Sequence, residues 1–339
     1  MDMDDISPIS RRFGVGSCLG VQSIGGGKVN LTLRVETESG VFILQQLKPP
    51  LDENTVLDGH ALTMHLAKKG FPVPRFQLTS ERLPYFKDSN GTYRLMTFLQ
   101  GHTLKAIENS QKAYSAGELI GRFHRAISDF DYKPLSRLEG FHNAMNVLAR
   151  LERLVSDNSP LDKEVEEVWV KLRSHIPSLL LPEDLPLRHI HGDLKYTNLL
   201  FDDWGRPFAL LDFDTLMFST LPVELGDAFR SWCTRKYTPR GPVFDQILFE
   251  SAWKGYLSTH PPVSRQEKAH IIQGIKLLLL ELSGRYLVDY FEDHYFAWDS
   301  NRFPDRASHN LFRSRRQLAV LADLELKEQE LRKIVEETS

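Results

Sequence analysis

At 339 residues the chain is long for a single hydrophobic core and has room for two lobes. Its 41% hydrophobic and 26% charged residues suit an ordinary globular protein, and a net charge of -3 excludes a general pull toward nucleic acid or anionic lipid. The distant cysteines Cys18 and Cys233 exclude a disulfide scaffold, show no metal-ligand spacing and read as reduced thiols.

The opening stretch, Met1 to Arg12, is acidic and has no apolar core of the secretory type. Apolar and polar residues then alternate. Val15 to Ile24 and Val29 to Thr37 read as strands flanking Gly25-Gly26-Gly27, and Val41 to Leu47 as a third strand after a Ser39-Gly40 turn. Val56, Leu62, Leu66 and Ala67 give Thr55 to Lys69 a helical stripe that stops at Gly70. Phe71-Pro72-Val73-Pro74 connects it to strands around Phe76 to Thr79 and Tyr93 to Phe98. The expectation is a five-stranded antiparallel sheet with one helix.

From Gly101 the pattern turns helical. Ala116, Leu119, Ile120, Phe123 and Ile127 form a core-facing stripe, as do Val165, Val168, Trp169, Leu172 and Ile176. Two strand-like runs, Leu199 to Phe201 and Phe208 to Leu211, flank the Trp204-Gly205-Arg206-Pro207 turn, and helices resume after Val223. The longest apolar stretch, Ile271 to Leu282, is broken by Gln273, Gly274 and Lys276 and is too short and polar to span a bilayer. A cytoplasmic protein with no membrane or nucleic-acid partner is expected. The basic run at Arg313, Arg315 and Arg316 reads as a solvated helix face.

The chemistry concentrates in His191-Gly192-Asp193-Leu194-Lys195-Tyr196-Thr197-Asn198 and Asp212-Phe213-Asp214. Phosphoryl transfer needs magnesium clamped to phosphates and a hydroxyl held in line, and magnesium prefers oxygen ligands. Asn198 and Asp212 supply those ligands. Asp193 is placed to orient the acceptor hydroxyl and take its proton, while His191 reads as a loop-holding residue. Taken alone, His-Gly-Asp could be a turn and Asp-Phe-Asp a strand end. The spaced Asp and Asn, the intervening hairpin and the terminal aspartate together are far more specific.

His-Gly-Asp-x-x-x-x-Asn followed by Leu-Asp-Phe-Asp is similar to the catalytic loop and metal motif of the aminoglycoside phosphotransferase and choline kinase superfamily. The resemblance implies an α+β, protein-kinase-like fold. Residues 1–97 would be a small nucleotide-binding lobe of antiparallel sheet and one helix, and residues 98–339 a mainly helical catalytic and substrate-binding lobe. It implies ATP and Mg2+, with Asp193 as catalytic aspartate and Asn198 and Asp212 as metal ligands. Leu95 to Gly101 resembles the family's hinge, which would bind adenine through backbone near Thr97 and Leu99. Gly25, Gly26 and Gly27 would cover phosphates. Gln45 stands where the family often has Lys, and no Glu partner lies between Thr55 and Lys69. Asp214 stands where protein kinases carry glycine.

Within the superfamily, Ile24 to Asn30, Phe42-Ile43-Leu44-Gln45, Gly226 to Arg230 and Gly284 to Tyr290 resemble the N-acetylhexosamine 1-kinases, which also carry Gln in that strand. So do Tyr295-Phe296, His309-Asn310-Leu311 and Arg313-Ser314-Arg315. That resemblance implies a sugar whose anomeric hydroxyl is phosphorylated. Asp227, Arg230 and Arg285 would contact it and Tyr295 would wall the site, with His309 and Arg313 as further candidates. Set against this, Asp227 is a ready helix cap, Arg230 and Arg313 ordinary surface ion-pair residues, and His309 a structural histidine. The rivals are kinases for choline, homoserine or an aminoglycoside, and a nucleotide-binding pseudokinase.

Overall fold

The structure, a computed structural model, describes residues 2–24, 30–136, 138, 140–235, 238–239 and 241–338. Helix α1, Met3–Arg12, opens the chain, capped by Asp2, whose carboxylate accepts the Asp4 and Asp5 amides. Its acidic start and internal Pro8 mask this helix from periodicity, yet Ile6 and Ile9 are buried in the small lobe's core.

Strands β1 (Cys18–Ser23), β2 (Leu31–Thr37), β3 (Gly40–Leu47), β4 (Phe86–Asp88) and β5 (Gly91–Thr97) form one antiparallel sheet in the order β1-β2-β3-β5-β4. The expected strand at Phe76 to Thr79 is instead an isolated bridge from Phe76 to Met96; the fifth strand is β4. Alternation sends Leu33, Val35, Phe42, Leu44, Tyr93 and Leu95 to one buried face beneath α1. Thr32, Gln45 and Arg94 stand side by side in register on the opposite face. Helix α2, Glu53–Lys68, follows β3, so the lobe holds two helices rather than one. Leu62 and Leu66 of α2, with Phe71 and Val73, join the larger core.

That larger core is built by α3 (Ser110–Ala126), α4 (Ala144–Asp157), α5 (Lys163–His175), α6 (Leu221–Trp232), α7 (Gln246–Thr259), α8 (Arg265–Glu292), α9 (Arg306–Leu326) and α10 (Glu328–Glu337). The two stripes read from sequence are buried on α3 and α5. Two short antiparallel pairs cross it: β6 (Leu187–Ile190) with β9 (Met217–Thr220), and β7 (Leu199–Phe201) with β8 (Pro207–Leu210). Helix α6 packs on α8 where Gly226 meets Gly274; a Cβ at Gly274 would lie 2.1 Å from the Pro222 carbonyl oxygen. This close approach sets α6 and α8 side by side. Among the described residues, no helix is long and apolar enough to cross a membrane.

Candidate active site

The loop after β6 is fixed by a carboxylate that sequence reading missed. Glu224 of α6, fully buried, accepts the backbone N–H groups of His191 and Gly192, each at 2.9 Å, and also meets His124 Nε2 at 3.2 Å. Burial opposes its charge, but the hydrogen bond and charge of His124 hold its carboxyl below the ordinary range. Gly192 is left-handed at φ +81°, and a Cβ there would lie 2.6 Å from the Thr215 carbonyl oxygen, so only glycine fits. His191 accepts the Asp193 N–H on Nδ1 at 3.3 Å and reaches the Leu211 carbonyl through Nε2 at 3.0 Å. That pattern makes it a neutral strut between the two motifs.

Asp193 and Asn198 converge as their spacing suggests. The Asn198 amide nitrogen donates to the Asp193 carbonyl at 2.8 Å and to its carboxylate at 3.2 Å, which leaves the amide oxygen to face a cation. Lys195 pairs with the Asp193 carboxylate, and its Nζ lies 3.8 Å from Asp212 Oδ2. Burial works against ionised Asp193; Lys195 outweighs it and holds the carboxyl below its ordinary value. Asp212, left-handed at φ +67°, shows 42% of its side chain to the cleft. Desolvation by the surrounding walls, then the neighbouring Asp214 charge, pushes its carboxyl up to about 6.

Among the described residues, no three His, Cys, Asp or Glu side chains gather into a closed metal site. One amide oxygen and one cleft-facing carboxylate form a partial oxygen set, which suits magnesium completed by phosphate oxygens and water. The residues therefore fit that ion.

Two of the residues expected to meet nucleotide have hydrogen-bond partners within the small lobe. Gln45 is engaged at both ends, donating to Thr32 Oγ1 at 3.0 Å and accepting Arg94 Nε at 2.8 Å. Thr97 donates its N–H to the Arg75 carbonyl at 2.9 Å, and its hydroxyl accepts the Arg75 N–H at 2.9 Å. Thr97 and Leu99 line a cavity of about 340 Å³ with Ala67, Gly70, Phe71, Pro72, Val73 and Arg75. Phe98 faces the other way, its N–H reaching the Val41 carbonyl at 3.4 Å. Strand parity thus turns the Thr97 backbone away from the side on which β3 lies. Gly25, Gly26 and Gly27 fall outside the described residues. Glu53, at the head of α2, pairs with Lys87 at 3.0 Å and not with β3.

Of the residues expected to meet an acceptor, Asp227 and Arg230 are paired along α6, and Asp227 is buried inside the helix, not capping it. Asp227 Oδ2 and Arg230 Nε are buried without a hydrogen-bond partner, as is Glu281 Oε1 on α8. His142, left-handed at φ +52°, links Glu281 at 3.2 Å to the Gly192 carbonyl at 2.6 Å. Burial alone would lower its pKa, but Glu281 raises it. Arg285 lies 5.0 Å from the Phe141 ring centroid, 5.8 Å from Tyr295 and 5.9 Å from Phe296. Asp289 fixes that wall by accepting the amides of His294, Tyr295 and Phe296. Arg313 donates to Asn310 Oδ1 at 3.2 Å, over the Tyr286 ring. His309 accepts the Asp299 N–H at 3.1 Å and stacks on Phe303; burial and nearby arginines push its pKa down to about 4, which suits a neutral structural group.

A model of the phosphotransferase enzyme family, also labelled APH, matches residues 20–263. A homoserine kinase of Chelativorans sp. is 25% identical over 238 residues, spanning 69% of this chain and 70% of that one. The fold is shared with a microcompartment-associated aminopropanol kinase (TM-score 0.68, 15% identity, 96% and 98% of the two chains). It is shared too with an amicoumacin kinase solved with AMP-PNP, Ca2+ and amicoumacin (TM-score 0.62, 18% identity, 88% and 87%).

Proposed function

Because the chain belongs to the phosphotransferase enzyme family, a group of small-molecule kinases, we propose that it moves the γ-phosphoryl group of ATP to the anomeric hydroxyl of an N-acetylhexosamine or a related sugar. Residues 1–97 would seat the nucleotide, and residues 98–339 the metal and acceptor. The observation that carries the acceptor reading is a set of buried, unpartnered polar atoms on α6 and α8: Asp227 Oδ2 and Arg230 Nε, whose groups feel the Asp193 charge, and Glu281 Oε1. Buried polar atoms without partners are costly and await a ligand that supplies donors and acceptors around its perimeter, as a sugar ring does. Arg285, Tyr295 and Phe296 add an apolar-faced wall, and the mixed signs of charge disfavour a purely cationic acceptor.

Asp193 orients the acceptor hydroxyl and takes its proton. Asn198 and Asp212 hold the metal, and Lys195 meets charge on the transferred group from between the two carboxylates. Magnesium there would neutralise charge on the phosphates and fix them in line. Adenine would meet hinge backbone near Thr97 and Leu99.

The homoserine kinase relatives favour a second acceptor, an amino acid whose carboxylate would face Arg285 and whose ammonium would face Asp227 or Glu281. Screening ADP release with free N-acetylhexosamines, homoserine, choline and aminoglycosides separates the two. An acid-labile product phosphate supports the anomeric position; turnover of homoserine alone replaces the sugar reading. ATP bound without ADP release across the panel would make the chain a pseudokinase.

A further inference from the structure

We propose that Arg94 replaces the missing strand lysine as a positioning residue, acting through Asp214 to hold the metal-bearing segment against the small lobe. The inference rests on the nucleotide reading above and assigns a role to a side chain that reading leaves out.

Arg94 stands on β5 beside Gln45 on β3, the two in register on the face of the sheet opposite its core. Its Nη1 and Nη2 donate to the two carboxylate oxygens of Asp214 at 2.5 and 2.9 Å, and both side chains are nearly sealed from solvent at 3% and 7% exposure. The remaining orientation is taken by Gln45, which accepts Arg94 Nε at 2.8 Å and is itself anchored on Thr32. The fork is therefore locked on three atoms. Asn30, the first described residue after the glycine run, donates to Asp214 Oδ2 at 3.2 Å and receives the Lys48 N–H at 3.3 Å.

Asp214 is thus the point where β5 and the start of β2 grip the large lobe. It lies two residues beyond Asp212, whose backbone is left-handed, a conformation that persists in a non-glycine residue where the surrounding structure holds it. A lysine in β3 would bring a point charge to the phosphates. The bidentate arginine brings geometry instead, fixing a carboxylate whose neighbour faces the metal. Gln45 is what this arrangement requires: a lysine there would crowd Arg94 with like charge and remove the acceptor for Nε. Arg94 also pairs with Asp214 and so offsets part of the second negative charge beside Asp212.

The test is a double-mutant cycle on nucleotide binding, with Arg94→Gln, Asp214→Asn and the pair together. Calorimetry would be run with Mg2+–ATP and with ATP in EDTA. Each single variant is expected to weaken Mg2+–ATP binding at least tenfold, the pair no more than the worse single variant. Metal-free binding should change less than threefold. Independent, additive losses, or equal losses with and without metal, would overturn the proposal, because Arg94 would then touch phosphate directly or merely support the lobe. Arg94→Lys, which keeps the charge and loses the fork, should recover only part of the metal-dependent affinity; full recovery would also overturn it. Should the single variants not fold, the uncharged pair and Arg94→Lys still decide the matter. Failure of the unaltered protein to bind Mg2+–ATP would reject the nucleotide reading itself, a result distinct from any of these.

Discussion

Lys195 joins Asp193 to Asp212: its ammonium pairs with the first carboxylate and stands 3.8 Å from the second. One cation thus serves two anions with opposite tendencies, Asp193 held below its ordinary pKa and Asp212 pushed up to about 6. The two carboxylates are thus made electrostatically unlike by their surroundings, as titratable groups gathered at functional sites often are.

Asp193→Ala should lower kcat by about 10²–10⁴-fold, the range for a lost proton-transfer group, with the ATP dissociation constant changed little. Single-turnover ADP release and calorimetric nucleotide binding measure the two separately. Unaltered turnover would remove Asp193 from the mechanism.

Asp212→Asn should abolish metal-dependent turnover and yet stabilise the nucleotide-free protein near neutral pH. The folded carboxyl titrates near 6 and the unfolded one at its ordinary, lower value. The native state therefore binds its proton more tightly. That advantage is complete below about pH 4 and is lost as pH rises through about 6. Above that range the ionised carboxylate costs stability, which asparagine avoids. A two-unit shift would convert to about 3 kcal/mol, but solvent reaches 42% of the side chain, and screening reduces the gain to about 1 kcal/mol. Thermal melts from pH 5 to 8 should show the curves diverging with rising pH; parallel curves would contradict the charge assignment.

Much of this centre was legible because its spacing is local. Asp193, Asn198 and Asp212 sit on one loop and at one hairpin end, so sequence distance nearly dictates spatial proximity. The supports were not legible, because they come from far along the chain. Glu224 reaches the loop from α6, and His142 from a segment with no periodic signal. Arg94 meets Asp214 across a sequence separation of 120. The helix at Met3–Arg12 owes its stability to Ile6 and Ile9 packing on the sheet, a tertiary cause beyond local pattern.

Glu224→Gln should be far more damaging than its near-identical shape suggests. An amide offers one acceptor where the carboxylate serves two backbone N–H groups, so a donor would face a donor in a dry site. The expected loss is about 2–4 kcal/mol, with turnover reduced as the loop loosens. Because the folded carboxyl is held below the ordinary range, its stabilisation is present above the unfolded pKa and is lost as pH falls through the folded one. Chemical denaturation of protein and variant should therefore differ most above pH 5 and converge in acid; a constant difference would show that packing alone is responsible.

Arg285 provides the clearest separation of acceptor from nucleotide. It leaves α8 among the rings of Phe141, Tyr295 and Phe296, and its neighbour one turn back, Glu281, is tied through His142 to the Gly192 carbonyl. The guanidinium carbon lies 5.0, 5.8 and 5.9 Å from the three ring centroids, and lysine can reproduce its charge but not its planar, many-donor head. Arg285→Lys should therefore raise the acceptor KM about 10- to 100-fold, as expected for losing a hydrogen bond from a charged donor worth about 1.5–3 kcal/mol. On the proposed reading, in which Arg285 meets the acceptor and not the nucleotide, the KM for ATP should stay the same. Steady-state kinetics varying each substrate in turn make the comparison. A matching rise in the KM for ATP would mean that Arg285 braces the whole cleft, and the acceptor would then have to be sought around Asp227 and Arg230 alone.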